Sequence, residues 1–427
     1  MSIPQLNVGL AGYGTVGSGV VHLLQENQNE LVSRLGCRIV VTKVADRDMS
    51  KLEAAGFGPE VTITPNLDDL VNDPSVDVVL ELMGGIEAAK KLFVAALGKG
   101  KQVVTANKAL LAHTGSELFN LAQANNTSIR YEASVAGGIP VIQTLRESLV
   151  GNKISSIIGI LNGTGNFILS AMSSTGASFE DALAEAQEKG YAEADPTLDI
   201  DGHDTAHKLI LLIRLAWGME YPYEQLPVCG IRSVHSMDIS FAREFGYRIK
   251  LLGQAHLRDG KLEACVHPTL VNHTYLIARV GGAYNAVRIE GNGVGSLFLH
   301  GLGAGSLPTA SAVVADLAAA AQAKMAGTPP VARQRTVPLA LANEVPSPWY
   351  LRFSVRDVPG VLRDLSGALA QEGISIAQVI QRGEMCGGVP LVIKTHNATA
   401  PAIGTAIKTM QAHNLLLADP VYFKILE

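Results

Sequence analysis

Along the first third of the chain, short apolar runs alternate with stretches whose apolar residues recur at helical spacing. Leu6–Ala11 is a short apolar run, Val16, Val20, Leu23 and Leu24 follow at helical intervals, and Arg38–Ala45 reads as a second strand. Val76–Leu82, Glu87–Leu97 and Gln102–Thr105 then read as strand, helix and strand. Strands this rich in apolar residues are covered on both faces, and helical connections between them predict a doubly wound parallel sheet. The pattern changes after Ile129–Ala133, where ASVAGGIPVI interrupts an apolar course with paired glycines and a proline and reads as a hinge or an ion-binding turn. Beyond it, Ile154–Leu161 is a strand, NGTGN a tight turn, Phe167–Met172 the start of a helix, and Leu209–Trp217 a helix with Asp201 as N-cap. Arg248–His256, Leu262–Val271, Asn285–Glu290 and Ser296–His300 predict a mostly antiparallel sheet in a second, α+β domain. An alanine-rich helix from Thr309 to about Ala321 follows Gly301, Gly303 and Gly305. It is read as returning to the first domain, although the spacing fits a plain helix entry equally well. Prolines 329, 330, 338, 346 and 348 mark a linker. Tyr350–Val355, Val361–Gln371, two further strands, a helix and Val421–Ile425 then complete a small βαββαβ unit.

Composition narrows the class. At 427 residues and 47% hydrophobic the chain has room for two or three domains, and a formal net charge of −5 argues against nucleic acid as a partner. Cys37, Cys229, Cys265 and Cys386 form no CxxC pair, so neither a disulfide framework nor a zinc site is expected and a reducing compartment fits. The opening MSIPQLN has no basic segment before an apolar core, and no apolar run reaches 18 residues, so neither signal peptide nor membrane span is expected. The expectation is a cytoplasmic enzyme.

Three motifs carry chemistry. GYGTVG is GxGxxG between a strand and a helix: Gly12 allows the turn, Gly14 lets main chain approach a pyrophosphate, Gly17 lets helix pack on strand, and the helix N-terminus attracts phosphate. This is a Rossmann-type dinucleotide site. At the end of the second strand Asp46 favours NAD, whereas Arg47 and Lys51 favour NADP, and the reading leans to NADP with NAD possible. Gly84, Gly85 and the segment Thr105–Lys108 fall at the carboxyl ends of strands, which points Lys108 toward the cofactor crevice. The third motif, GYAEADPTLDIDGHDTAHK from Gly190 to Lys208, crowds Glu193, Asp195, Asp199, Asp201 and Asp204 ahead of one lysine. Carboxylates so placed repel unless they hold a cation or hydrogen-bond donors, an amino-acid ammonium among them, and Asp204 and Lys208 share a helix face. A capped surface helix with one ordinary ion pair is the plainer reading of the same residues. DVPGVL, at 357–362, reads either as a proline-glycine turn or as an amino-acid-binding loop.

These motifs, in register over nearly the whole chain, resemble homoserine dehydrogenase in its long bacterial form ending in an ACT domain. The resemblance rests on GLAGYGTVGSGV, VVTANKALLA, YEASVAGGIPVI, GILNGTGN, the acidic segment and GLGAGSLPTASAVVADL. It implies NAD(P)-dependent interconversion of L-aspartate 4-semialdehyde and L-homoserine, in the biosynthesis of threonine, methionine and isoleucine. By resemblance Lys208 is the acid/base lysine and Lys108 a second active-site lysine. Glu193, Asp199 and Asp204 hold homoserine, while Thr15, Val16, Lys108, Gly190 and Gly305 contact the nucleotide and Arg47 the 2′-phosphate. A sodium ion is implied at Glu132 and the carbonyls of Val135, Gly137 and Ile139. Threonine is implied as effector, and a homodimer or homotetramer as the assembly. Asp46 and Gly165 depart from the family pattern, the latter standing where many relatives have threonine. The implied organisation is a cofactor domain at 1–135 completed by about 304–325, a substrate and dimerisation domain at 136–303, a linker at 326–348 and the ACT domain at 349–427. Another amino-acid-pathway oxidoreductase, such as an aspartate-semialdehyde dehydrogenase, would need a cysteine nucleophile that no motif here supplies. A non-catalytic amino-acid sensor would not need the two lysines.

Overall fold

The structure, a computed structural model, describes residues 3–327, 340–341, 345–383 and 388–426. Most of the expected linker, with Pro329, Pro330 and Pro338, lies outside the described residues, as does Cys386. The chain forms two units, one of residues 1–154, 207–225 and 291–338, the other of residues 155–206, 226–290 and 339–427.

The first unit is built on six strands, β1 (Gln5–Ala11), β2 (Arg38–Ala45), β3 (Thr62–Thr64), β4 (Val78–Glu81), β5 (Gln102–Thr105) and β6 (Ile129–Arg130), in the order β3-β2-β1-β4-β5-β6. All neighbours run parallel. The order reverses between β1 and β4, which opens a crevice at their carboxyl ends, where such sheets take ligands. Leu6, Val8, Leu10, Val78 and Leu80 are fully buried, as the largely apolar runs require. Helix Thr15–Glu26 covers the sheet with Val20, Val21 and Leu24, and helix Ser306–Ala326 packs in the same core with Ala310, Val313, Leu317 and Ala320. Small residues permit that approach: a Cβ on Gly19 would stand 2.6 Å from Ser306 Oγ and 3.4 Å from Ala310 Cβ. The run expected through Ala133 stops at Arg130. Glu132–Ser134 turns as a 3₁₀ helix instead, and the Glu132 N–H donates to Asp316 at 2.7 Å rather than to a neighbouring strand.

The second unit contains β7 (Ile154–Ile160), β8 (Tyr247–Arg258), β9 (Lys261–Asn272) and β10 (Tyr284–Gly291). β8 and β9 pair over their full length, joined by Asp259-Gly260, both at positive φ as a tight two-residue hairpin demands. In chain order come β11 (Gly295–Leu302), in the first unit, and β12 (Ala340–Leu341), parallel to β9. Then β13 (Trp349–Val355), β14 (Ile376–Gln381), β15 (Val389–Thr395) and β16 (Val421–Leu426), with helices Val361–Gln371 and Ala400–Ala412, form the βαββαβ unit expected from the pattern. Its order is β16-β13-β15-β14, with antiparallel neighbours.

The periodicity did not predict how this unit joins the rest. β16 pairs parallel with β9, Lys424 opposite Thr269 and Leu426 opposite Val271, so β10-β7-β8-β9-β16-β13-β15-β14 is one continuous sheet. Side chains reinforce the seam: Lys424 pairs with Glu263 at 2.6 Å, and Lys394 donates to the Tyr247 hydroxyl at 2.7 Å. Tyr350 and Arg352 on β13 both bond Asp238, which is fully buried on helix Ser236–Glu244.

Candidate functional site

In the first unit the glycines after β1 have distinct steric reasons. Gly12 has φ +95°, and a Cβ there would stand 2.8 Å from the Leu82 carbonyl and Met83 nitrogen. On Gly17 it would stand 2.3 Å from the Gly12 carbonyl oxygen. Around Gly14 there is nothing within 4 Å. Gly14 is also the N-cap of helix Thr15–Glu26, which has neither a capping side chain nor an acid in its first turn. Open space before a helix N-terminus fits a dinucleotide pyrophosphate. The Thr15 carbonyl accepts from Ser306 Oγ at 2.7 Å, next to Gly305, the N-cap of helix Ser306–Ala326, at φ +119°, and Val16 packs against the core.

Asp46 has a main-chain role: it accepts from Tyr13 N at 2.8 Å and Asp48 N at 3.1 Å, tying the glycine loop to the end of β2. Arg47 and Lys51, just beyond, are exposed. The loops after β4 and β5 are joined by Glu81, a residue the motifs did not single out. Its buried carboxyl accepts from Met83 N, Gly84 N and Thr105 Oγ1, and burial raises its pKa. Thr105 Oγ1 in turn accepts from Asn107 N. The Asn107 side chain donates to Gly85 O at 2.6 Å and caps the helix that Lys108 begins. Lys108 is thereby held, half-buried, at a helix start beside Gly84 and Gly85. Lys208 is 8% exposed, and its neighbour His207 stacks on Tyr223 at 5.1 Å and meets His113 at 5.2 Å.

Elsewhere in the same unit, Glu132 is 3% exposed and accepts from Ile142 N at 2.9 Å and Gln143 N at 2.7 Å. Burial pushes its carboxyl up to about 7, and the adjacent Asp316 adds to the effect. Gly137 has φ +55°, its Cβ position 2.5 Å from the Gly303 carbonyl, and the Ile139 carbonyl accepts from Val141 N at 2.7 Å. Val135 is fully buried. A buried carboxylate beside another acid gains from a cation, and one carboxylate with carbonyls is the kind of donor set a hard cation takes.

In the second unit the acidic segment is sorted by its partners. The β7 strand ends in Asn162, whose Oδ1 accepts from Gly165 N at 2.7 Å and caps helix Gly163–Thr175. With Oδ1 so committed, Nδ2 donates to Asp199 at 2.6 Å and Asp204 at 2.8 Å. Thr164 Oγ1 donates to Tyr191 O at 2.5 Å, next to Gly190 at φ +72°. Asp195 instead accepts from Thr197, and Glu193 is exposed. Asp201 is not the N-cap expected of it: its carboxylate pairs with Arg232, and Gly202, at φ +87°, stands before the helix His203–Trp217. That helix carries Asp204 in its first turn and Lys208 one turn later. At Gly165 a Cβ would lie 3.3 Å from Asn162 Oδ1, so glycine leaves the cap undisturbed.

Family models match the homoserine dehydrogenase NAD-binding domain at residues 12–132, homoserine dehydrogenase at 140–318 and the ACT domain at 349–409. The homoserine dehydrogenase of Neisseria gonorrhoeae is 42% identical over 419 residues, covering 95% of each chain. The chain belongs to the homoserine dehydrogenase family. That of Helicobacter pylori is 40% identical and covers 99% of both chains. A homoserine dehydrogenase crystal structure from Thiobacillus denitrificans superposes with a TM-score of 0.94 at 41% identity, covering 99% of this chain and 98% of that one. A hyperthermophilic archaeal homoserine dehydrogenase in complex with NADPH matches with a TM-score of 0.65 at 28% identity, over 78% of this chain and all of that one. Membership makes this chain an oxidoreductase with a nicotinamide-cofactor domain and an ACT domain. The semialdehyde-dehydrogenase and sensor readings are not favoured. Among the described residues no helix is long and apolar enough to cross a membrane.

Two residues escaped the motif reading. Glu81 looked like the end of a buried strand, and Asn162 like part of a turn; only the long-range partners reveal what each holds.

Proposed function

We propose that this homoserine dehydrogenase interconverts L-homoserine and L-aspartate 4-semialdehyde, with Asp199, Asp204 and Glu193 holding the amino acid and Lys208 handling the proton. The observation that carries this reading is Asn162, which gathers Asp199 and Asp204 on one amide nitrogen at the start of the helix that bears Lys208. A nicotinamide held at the glycine loop after β1 would supply or accept the hydride at substrate C4. In oxidation Lys208 takes the hydroxyl proton as the carbonyl forms. In reduction its ammonium returns a proton to an oxygen gaining alkoxide character, and stabilises that charge meanwhile. Lys108 supports the same oxygen from the cofactor side.

NADP is the preferred cofactor in this reading, with NAD possible. Asp46 is occupied by main-chain donors, whereas Arg47 and Lys51 are exposed and cationic, suited to a 2′-phosphate. Gly12, Gly14, Thr15, Val16, Gly17, Gly190 and Gly305 serve as nucleotide contacts. Glu132 with the carbonyls of Val135, Gly137 and Ile139 would hold sodium in a structural role. The ACT domain would take threonine at the DVPGVL turn as feedback inhibitor, in a cytoplasmic homodimer or homotetramer placed in threonine, methionine and isoleucine biosynthesis. The proposed domain bounds are 1–135 with about 304–325, 136–303, 326–348 and 349–427.

The test is absorbance at 340 nm with homoserine and NADP, repeated with NAD and with threonine. Lys208→Ala should lose about 10²–10⁴-fold in kcat, the range for a removed general acid/base. Full turnover by that variant, or none by the wild type, overturns the reading.

A further inference from the structure

The turn that holds the two acids is itself held from behind by a buried charge with no part in the chemistry above. Lys250, on β8, is 5% exposed and donates to Asn166 Oδ1 at 3.0 Å and to Val280 O at 2.5 Å. Among the described residues no carboxylate forms a salt bridge with it. Its partners are neutral dipoles, and burial, with Arg248 nearby, lowers its pKa to about 8. An ammonium kept there without a counter-ion costs stability, which an apolar side chain of similar length would not.

What the ammonium does locally follows from donor and acceptor roles. Lysine only donates, so Asn166 must turn Oδ1 toward it, which leaves Nδ2 for the neighbouring carbonyls. Nδ2 then meets the carbonyls of Gly282 at 3.0 Å, Tyr284 at 3.1 Å and Val280 at 3.3 Å. The segment 280–285 is thereby wrapped around the turn 161–166. Asn285 Nδ2 donates to Leu161 O at 3.0 Å, and Ala283 O lies where a Cβ on Gly163 would be only 2.7 Å away. The other side of that turn is Asn162, bonded to Asp199 and Asp204. The strand-to-helix turn 161–166 is thus held by Lys250 through its last residue, Asn166, and presents the acid-orienting amide of Asn162.

We infer that Lys250 is a positioning residue for homoserine: acting through Asn166 and the segment 280–285, it fixes the turn whose Asn162 amide sets Asp199 and Asp204. This rests on the assignment of those acids to the substrate.

The experiment measures separate KM values for homoserine and NADP, kcat, and melting temperature for Lys250→Met and Lys250→Gln in the full chain. Lys250→Met should raise the homoserine KM at least tenfold and leave the NADP KM within twofold. Lys250→Gln retains an N–H donor for Asn166 and should recover part of the loss; it also carries the measurement if the methionine variant does not fold. An unchanged homoserine KM in a folded variant overturns the inference. So does a parallel rise in both KM values together with a fall in melting temperature, the mark of a merely structural lysine. A failed substrate assignment would differ from both, since wild type would then show no saturable homoserine turnover.

Discussion

Arg352→Met should destabilise the unit that contains the ACT strands far more than loss of a surface ion pair would. Asp238 is fully buried and Arg352 is 4% exposed. The carboxylate receives Arg352 Nε at 2.5 Å and NH2 at 3.0 Å, the Tyr350 hydroxyl at 2.7 Å and His235 N at 2.9 Å. Burial pushes the tyrosine's pKa up, with Asp238 adding to it, so the phenol stays a donor. Removing the arginine leaves a buried anion, which costs about 3–5 kcal/mol where a buried pair is broken. Two neutral donors remain on Asp238, which places the loss at the lower end, about 3 kcal/mol. Exposed pairs, by contrast, are worth about 0–1 kcal/mol. For a body of this size 3 kcal/mol corresponds to roughly 6–12 °C in melting temperature. Asp238→Leu combined with Arg352→Met removes both charges and should cost less than the two single losses added together, by about 2 kcal/mol or more in a double-mutant cycle. The assay is chemical denaturation with thermal melting as a check. A single-variant loss under about 1 kcal/mol, or strict additivity in the cycle, would refute the claim that this pair is a buried, mutually dependent unit.

Truncation before Trp349 should not yield a merely deregulated enzyme. It strips β16 from β9 and leaves Asp238 without Tyr350 and Arg352, so the shortened chain should melt lower or aggregate; a wild-type melting temperature would contradict this. Gly14→Ala should leave the melting temperature unchanged, since nothing lies within 4 Å of the added methyl, yet weaken NADPH binding at least tenfold by fluorescence titration. Equal binding by the two proteins would remove Gly14 from the pyrophosphate path. His267 is half-buried, with its pKa lowered by desolvation to about 4, and its Nδ1 lies 2.8 Å from Pro268 O. The folded state therefore favours the neutral ring while the unfolded chain protonates near 6.5, so this contribution is complete above that value and is lost as pH falls toward 4. The contribution is at most about 3 kcal/mol. His267→Gln should flatten the melting-temperature profile between pH 4 and 6.5, and an unaltered slope would show that another group sets it.

The parallel sheet was legible because β1, β2, β4 and β5 are short apolar runs bounded by glycines, a pattern few other arrangements produce. β5 and helix Val361–Gln371 fall on their expected residues. Helix Ser236–Glu244 was not legible. It turns Asp238 inward beside Ile239 and Phe241, and a buried acid breaks the periodic pattern that would announce a helix. The β9–β16 seam was illegible for another reason: three residue pairs join strands about 150 positions apart, beyond a proline-rich stretch that reads as a separator. Local pattern fixes elements; which edge pairs with which depends on side chains such as Lys424, whose partner Glu263 lies 161 residues away.

The acidic segment shows how charge crowding is shared out among different partners. Asp201 is neutralised by Arg232, and Asp195 turns back on Thr197 to close a local turn. Asp199 and Asp204 are treated differently: both accept from the one nitrogen of Asn162. An amide is neutral, so it fixes the direction of both carboxylates and adds no charge of its own. An arginine in the place of Asn162 would orient the pair equally well but add a positive charge. If the proposed amino-acid ammonium binds there, asparagine orients the acids without bringing a cation that would compete with it, so the position of a turn reading only NGTGN matters and its support from behind has a purpose.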